Sequence, residues 1–452
     1  MALKSFNKAG PSTDQLRILS SLVEKWRSYQ VTELKRMAYV TGLICTRCGR
    51  SYSPKDHVLT CTEDEGRLNI EYDYDSMADK ISREAFERRK GGLWKYHELL
   101  PIENEENIVS LGEVQTPLIR CRNLGKILGM RSLYLKDETK NPTASFKDRP
   151  MTVGVSKAVE LGFNTTVSAS SGNAAAALAA YSARAELACY TFVPEKASQG
   201  KIAQLSMFGA HVVRLRGLES GVDPTVTMLR LVCKRFGWYP CPSFALFNPY
   251  QAEGPKTMSY EIAEQLGWTT PDWVFAGVGS GALLAGNWKG FREFKRLGFV
   301  KGAPRMVAVQ STGCAPVVRA FEEQMDPNKI LPWEHPESVA TGLMDPLPWD
   351  GDAALKALHD SSGTAVKVTN EEILEAQRTL AKTEGVFAEP SGVAVLAGLT
   401  RLRNQGAVAN DDCVVLEITG SGLKDLNVIG SAEAPLIDPD IEALKRVLKL
   451  KE

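Results

Sequence analysis

A chain of 452 residues with 54 basic and 54 acidic side chains has no formal net charge, which gives neither nucleic acid nor a membrane surface a global electrostatic hold on it. The length predicts two or three domains with large apolar cores. Nine cysteines at irregular spacing argue against a disulfide framework and for a reducing compartment, and no apolar run reaches membrane-spanning length.

Along the chain, Thr13 to Val40 places Leu16, Leu19, Leu22 and Trp26 at helical spacing, predicting an N-terminal helical extension over residues 1–40. Cys45 and Cys48, in Cys-Thr-Arg-Cys-Gly, have the spacing of one knuckle of a zinc ribbon over residues 41–75. A second knuckle needs two more ligands, and only Cys61 and Asp64 fall where they belong, with His57 as another possibility. Structural zinc prefers thiolate and imidazole, so the expectation is no metal and a degenerate ribbon held by packing. Next comes the β-type run Leu133-Tyr134-Leu135, a turn at Asn141-Pro142, and Thr-Ala-Ser-Phe-Lys-Asp-Arg, with a helix expected from about Met151. A lysine held where a strand and turn pass into a helix can sit in low dielectric, where its amine loses its proton and becomes a nucleophile. Lys147 is such a lysine, and its characteristic chemistry is a Schiff base with a carbonyl, above all that of pyridoxal phosphate.

Three downstream segments support that reading. Ser168-Ala-Ser170-Ser171-Gly-Asn173 precedes an alanine-rich helix from Ala174 to Ala185, which offers hydroxyls and N–H donors to a carboxylate. Gly277-Val278-Gly279-Ser280-Gly281-Ala282 follows the apolar run Trp273 to Ala276 and leads into a helix, a phosphate-cradling arrangement. Val414 to Ile418 is a buried-type strand that ends in Thr419 and two glycines. Short β-branched runs at Thr165–Ala169, Ala188–Val193, His211–Leu215, Met306–Gln310 and Cys413–Ile418 alternate with helical segments, the pattern of parallel sheets covered on both faces. From Ile437 onward the pattern is an amphipathic helix with Leu444, Val447 and Leu448 as a docking face.

In this order and spacing, from about Gly91 to Asp425, the segments resemble the threonine synthase branch of the fold-type II pyridoxal phosphate enzymes. Leu111 to Leu118, Glu253-Gly-Pro-Lys-Thr257 and Glu389-Pro-Ser-Gly392 are similar to blocks of that family. The resemblance implies an α/β protein of the tryptophan synthase β type, with two open parallel-sheet lobes and the cofactor in the cleft. It also implies a large domain over residues 76–149 and 245–435 and a small mobile domain over 150–244; the amphipathic pattern adds a C-terminal helix over 436–452, and a homodimer is expected. It makes Lys147 the Schiff-base lysine and catalytic base. Asn173 would bind the cofactor's ring hydroxyl, Gly277 to Ala282 its phosphate, and Thr419 its pyridine nitrogen. Ser170, Ser171, Asn173 and Ala174 would take the substrate carboxylate, and Gln251 another part of the substrate.

The departures concern the leaving group. The family's substrate is a phosphorylated homoserine, and its second phosphate site draws on polar and basic residues. Here those places hold Ala245, Leu246, Gln251 and Leu283. Removing several partners of a buried anion costs about 2–5 kcal/mol each. The expectation is a lyase acting on a small amino acid by β- or γ-elimination or replacement, with a leaving group other than phosphate. A true threonine synthase, a serine or threonine dehydratase, a β-replacement synthase and a non-catalytic homologue are the alternatives. A cytoplasmic protein is expected, with organellar import left open by the acid-poor start up to Pro11.

Overall fold

The computed structural model describes residues 39–217, 223–426 and 434–449. The predicted extension over residues 1–40 lies almost wholly outside them; Val40, its expected last residue, instead opens the first strand.

The larger sheet contains β4 (Leu118–Arg120), β5 (Ser132–Asp137), β10 (Trp273–Gly277), β11 (Arg305–Ser311), β12 (Thr364–Val368) and β13 (Cys413–Ile418). Their order is β12-β11-β10-β13-β5-β4, parallel except for the pairing of β4 with β5. The central strands are buried on both faces, and their side chains alternate between two cores. Val274, Ala276, Met306, Ala308 and Val415 pack one way, with Phe291 and Phe294 of helix Ala282–Arg296. Trp273, Phe275, Val307, Val309, Val414 and Leu416 pack the other way, against Val393, Leu396 and Leu399 of helix Pro390–Asn404. This arrangement explains why these strands read as unbroken apolar runs.

A second sheet, β6 (Thr165–Ser168), β7 (Ala188–Pro194), β8 (His211–Leu215) and β9 (Tyr239–Pro240), is parallel throughout in the order β8-β7-β6-β9. Helix Asn173–Arg184 lies against it, with six alanines between 174 and 180 buried together with Leu178. A small antiparallel sheet of β1 (Val40–Cys45), β2 (Ser51–Tyr52) and β3 (Leu68–Tyr72) forms the ribbon. Tyr72 and Tyr74 anchor it to the body by donating hydrogen bonds to buried Glu253 (2.9 Å) and Glu293 (2.8 Å). At the other end, helix Ile441–Leu448 leaves Val447 and Leu448 of the expected docking face exposed and Leu444 half-buried. No helix among the described residues is long and apolar enough to cross a membrane.

The carboxyl ends of β5, β13 and β10 come together at the centre of the larger sheet, through the pairings Ile418 with Asp137 and Leu416 with Phe275. Open parallel sheets present ligand-binding loops at such ends. The Lys147 turn, the Gly277 to Ala282 loop and the Thr419 segment leave the sheet here, while the fourth motif, Ser168 to Asn173, follows β6 of the second sheet.

Candidate active site

The turn carrying Lys147 is zipped to the segment after β13. Phe146 N–H donates to Thr419 C=O at 2.8 Å, Ser421 N–H to Ala144 C=O at 3.0 Å, and Ser145 bridges Gly420. Within the turn, Asp148 accepts from the Thr143 N–H and hydroxyl at 2.8 and 2.7 Å. The helix begins at Asp148, earlier than the expected Met151, because Pro150 falls in its first turn, where no backbone donor is needed. Lys147 therefore occupies the N-cap position. Below it, Arg149 is wholly enclosed, bonding Glu138 at 2.7 and 2.8 Å and Glu261 at 2.7 and 2.9 Å. Lys136 adds a second cation to Glu261 at 2.6 Å. Breaking such a buried, hydrogen-bonded network is costly, and it fixes the start of the helix.

The Lys147 amine donates to Ser243 Oγ at 2.7 Å and lies 4.7 Å from the centre of the Phe146 ring. Burial pushes its pKa down to about 8, against the pull of Asp345, Asp350 and Glu389. Ser243 holds a left-handed backbone, φ 72°, which a serine adopts only when its surroundings impose it. Gln251 is one source of that constraint: its amide oxygen accepts from Ser243 N–H at 3.2 Å and its NH2 donates to Phe244 C=O at 2.8 Å. Expected at the substrate, Gln251 is instead completely buried behind this turn and shapes the cleft through Ser243.

Asn173 opens the alanine-rich helix, with Gly172 as N-cap, and no side chain caps its first turn. Ser170, Ser171 and Asn173 remain half-buried there, with Ala174 buried behind them. The Asn173 amide donates to Glu389 Oε1 at 2.8 Å, and Glu389 N–H donates to Gly420 C=O at 3.0 Å. Asn173 thus reaches the same strip of backbone that carries Thr419 and the Lys147 turn. Burial raises the Glu389 carboxyl above its ordinary range. Thr419 is buried, and a Cβ on Gly392 would lie 3.2 Å from its Oγ1.

The glycine loop after β10 is pressed against the strap around residues 340–351. A Cβ on Gly279 would lie 2.6 Å from Gly342 C=O, and one on Gly281, φ 103°, would lie 2.6 Å from Asp350 C=O. Side chains are excluded at both positions, so backbone alone forms the cradle that leads into helix Ala282–Arg296. Of this segment, Gly277 ends β10, Val278 turns into the core, Ser280 stays half-buried in the turn and Ala282 opens the helix. Leu283 packs in the core too, so its apolar character serves packing rather than a ligand. A nucleophilic amine, an uncapped helix start, an amide, a buried hydroxyl and a side-chain-free cradle together fit pyridoxal phosphate.

Three residues near the amine have no signature in the sequence. Ser243 sits in an unremarked Cys-Pro-Ser turn. Asp350 is buried, accepts from Ala245 N–H at 3.0 and 2.9 Å, and has its pKa pushed up to about 7 by burial. Asp345 is half-buried, and burial, reinforced by Asp223, raises it to about 6.

At the ribbon, the ligand atoms of Cys45, Cys48, Cys61 and Asp64 all lie within 4.8 Å of one another, without His57. Gly66 permits this approach, since a Cβ there would fall 2.7 Å from Asp64 Oδ1 and 2.8 Å from Cys45 Sγ. Three thiols and a carboxylate fit a tetrahedral thiophilic ion. The gathering goes beyond the expectation of a ribbon held by packing alone.

Residues 109–420 match the family model of pyridoxal-phosphate-dependent enzymes. The chain is 42% identical to a threonine synthase of Methanocaldococcus jannaschii over 90% of its own length and 98% of that protein's. It is 41% identical to a threonine synthase of Methanosarcina acetivorans over the same shares. In fold it resembles the processed form of threonine deaminase isoform 2 from Solanum lycopersicum, with a TM-score of 0.57 and 22% identity over 74% of this chain and 87% of that one. The parallel sheets, the site at their carboxyl ends and these relatives agree, and the chain belongs to the threonine synthase family of pyridoxal-phosphate-dependent lyases.

Proposed function

We propose that the protein cleaves a small amino acid by β- or γ-elimination or replacement, with a leaving group that carries less negative charge than phosphate. The observation that carries this reading is the electrostatics around Lys147: among the described residues, the charges that act on the buried amine are the carboxylates of Asp345, Asp350 and Glu389. A phosphate dianion among these carboxylates would be repelled, whereas a hydroxyl or acyl ester would not.

Pyridoxal phosphate, when bound, supplies the electron sink that stabilises negative charge at the substrate carbons. The chain's own residues do the rest. Lys147, with its proton affinity lowered by burial, holds the cofactor and moves a proton at the α-carbon. Ser243 aims the amine. Ser170, Ser171 and the uncapped N–H groups at Asn173 and Ala174 bind the substrate carboxylate at the positive end of their helix. The backbone of Gly277 to Ala282 takes the cofactor phosphate and Asn173 its ring hydroxyl. Thr419 presents a neutral hydroxyl to the ring nitrogen, where a carboxylate would favour transamination.

A second reading, a true threonine synthase, is favoured by the names of relatives at 41–42% identity. One experiment separates the two. The cofactor-loaded protein is given O-phosphohomoserine, L-serine, L-threonine and O-acetylhomoserine in separate assays for phosphate, threonine and 2-oxoacid. Turnover of the hydroxy or acyl substrates without phosphate release is the expected result. Equal yields of phosphate and threonine would overturn it in favour of the second reading.

A further inference from the structure

Arg67 links the ribbon to Asp350, beside the cleft. Arg67, just after Gly66, has its C=O tied to the first knuckle by Thr46 N–H at 2.9 Å. Its guanidinium reaches across to the body, with Nη2 3.0 Å from Asp352 Oδ2 and Nε 4.0 Å from Asp350 Oδ1. Both ends of the Arg67–Asp350 contact are removed from bulk water, with side-chain exposures of 12% and 2%. The Arg67 Nε–H is itself buried without a hydrogen-bond partner, so its environment is satisfied only by the nearby carboxylate.

Asp350 in turn holds both walls of the cleft. Its carboxylate accepts from Ala245 N–H, two residues beyond the Ser243 that bonds Lys147. Its own N–H donates to Ser280 C=O at 2.8 Å, inside the glycine loop, and its C=O is the atom against which Gly281 is packed. Its neighbour Trp349 stacks on Phe244 with ring centres 5.5 Å apart and planes 12° from parallel. A movement of Asp350 therefore shifts the glycine loop and the Ser243 turn together.

We infer that Asp350 is a positioning residue through which Arg67 of the ribbon holds the glycine loop and the Lys147–Ser243 contact in register for the cofactor. The inference rests on the reading of Gly277 to Ala282 as the cofactor-phosphate cradle. It gives the ribbon a role in the chemistry although none of its residues reaches the cleft itself.

The test is a titration of cofactor-free full-length protein with pyridoxal phosphate, following the visible absorbance of the lysine-bound cofactor. Arg67→Ala, Asp350→Asn and the double variant are compared with wild type, after circular dichroism has confirmed folding. Asp350→Asn keeps an oxygen for Ala245 N–H but loses the charge that Arg67 meets. Each single variant is expected to weaken binding about five- to tenfold, and Arg67→Ala to add less than about twofold in the Asp350→Asn background, as for two residues acting as a unit. Arg50→Ala, in the ribbon with its guanidinium on exposed Glu63 and over the Tyr52 ring rather than on the body, should bind like wild type. Additive losses, or unchanged binding in both singles, would overturn the inference. If a single variant does not fold, Arg67→Lys replaces it: its point charge cannot span both aspartates, and wild-type binding by this variant would count against the inference. A wild-type protein that binds no pyridoxal phosphate would overturn the cradle reading itself, a distinguishable result.

Discussion

Lys147 Nζ and Ser243 Oγ, 2.7 Å apart, join the turn after β5 to the turn after β9, so the reactive amine is aimed from the opposite sheet. With its pKa near 8 instead of 10.5, roughly a quarter of the amine is neutral at pH 7.5. The rate at which cofactor-free protein takes up pyridoxal phosphate should rise with a midpoint near pH 8, and Lys147→Ala should lose the visible band altogether. A midpoint above pH 10 would contradict the buried amine. The sign for stability follows: between pH 8 and 10.5 the unfolded chain binds the proton that the folded chain has shed, so the cofactor-free protein gains stability as pH rises through that window.

Replacing Ser243 by alanine removes the acceptor that favours the ammonium form. Hydrogen bonds to charged groups contribute about 1.5–3 kcal/mol, so the proton affinity of Lys147 should fall by about ten- to a hundredfold and the uptake midpoint should drop below pH 8. Ser243→Gly should show the same drop while relieving the left-handed backbone, and so melt no lower than Ser243→Ala. An unmoved midpoint in both variants would mean that the contact does not govern the amine.

Gly281→Ala places a methyl group 2.6 Å from Asp350 C=O at φ 103°. The clash is with backbone, so it cannot be relieved by a rotamer change. A stability loss of about 2 kcal/mol or more and cofactor binding weakened at least about tenfold are expected from thermal melts and equilibrium titration. Gly298→Ala, also left-handed but facing open space, should cost only about 1 kcal/mol and leave cofactor binding intact.

The ribbon ligands predict about one zinc per chain in protein purified under reducing conditions, measured by elemental analysis. Cys48→Ser and Gly66→Ala should both lower that content, the first by removing a ligand and the second by wedging Asp64 from Cys45. Protein that carries no zinc and takes none up would return the ribbon to packing alone, with Tyr72 and Tyr74 as its anchors.

The local motifs were legible because their chemistry is local. An apolar run, a glycine-rich turn and a helix start must be contiguous to work, so Lys147, Asn173, Gly277 to Ala282 and Thr419 stood out from the sequence, as did the α/β class from its alternating segments. Gln251 was legible as polar but not as buried. Its neighbours in space, the backbone groups of Ser243 and Phe244, come from a turn whose path only the fold defines. Leu283 could be aligned with a ligand position, yet the helical phase that turns it into the core is set by packing beneath the sheet.

By itself, then, the sequence determined the class of fold, the family and the cofactor, and pointed to Lys147 as the candidate amine, since each depends on residue types in short, ordered segments. The tertiary structure decided what surrounds the amine. Ser243 lies 96 residues from Lys147 in sequence, and Asn173 lies 216 from Glu389. Asp350 meets Arg67 only because the ribbon docks on the body beside it. Contacts of that kind leave no periodic or compositional trace, because they arise from the burial of separate elements against one another rather than from the conformational preference of any one of them.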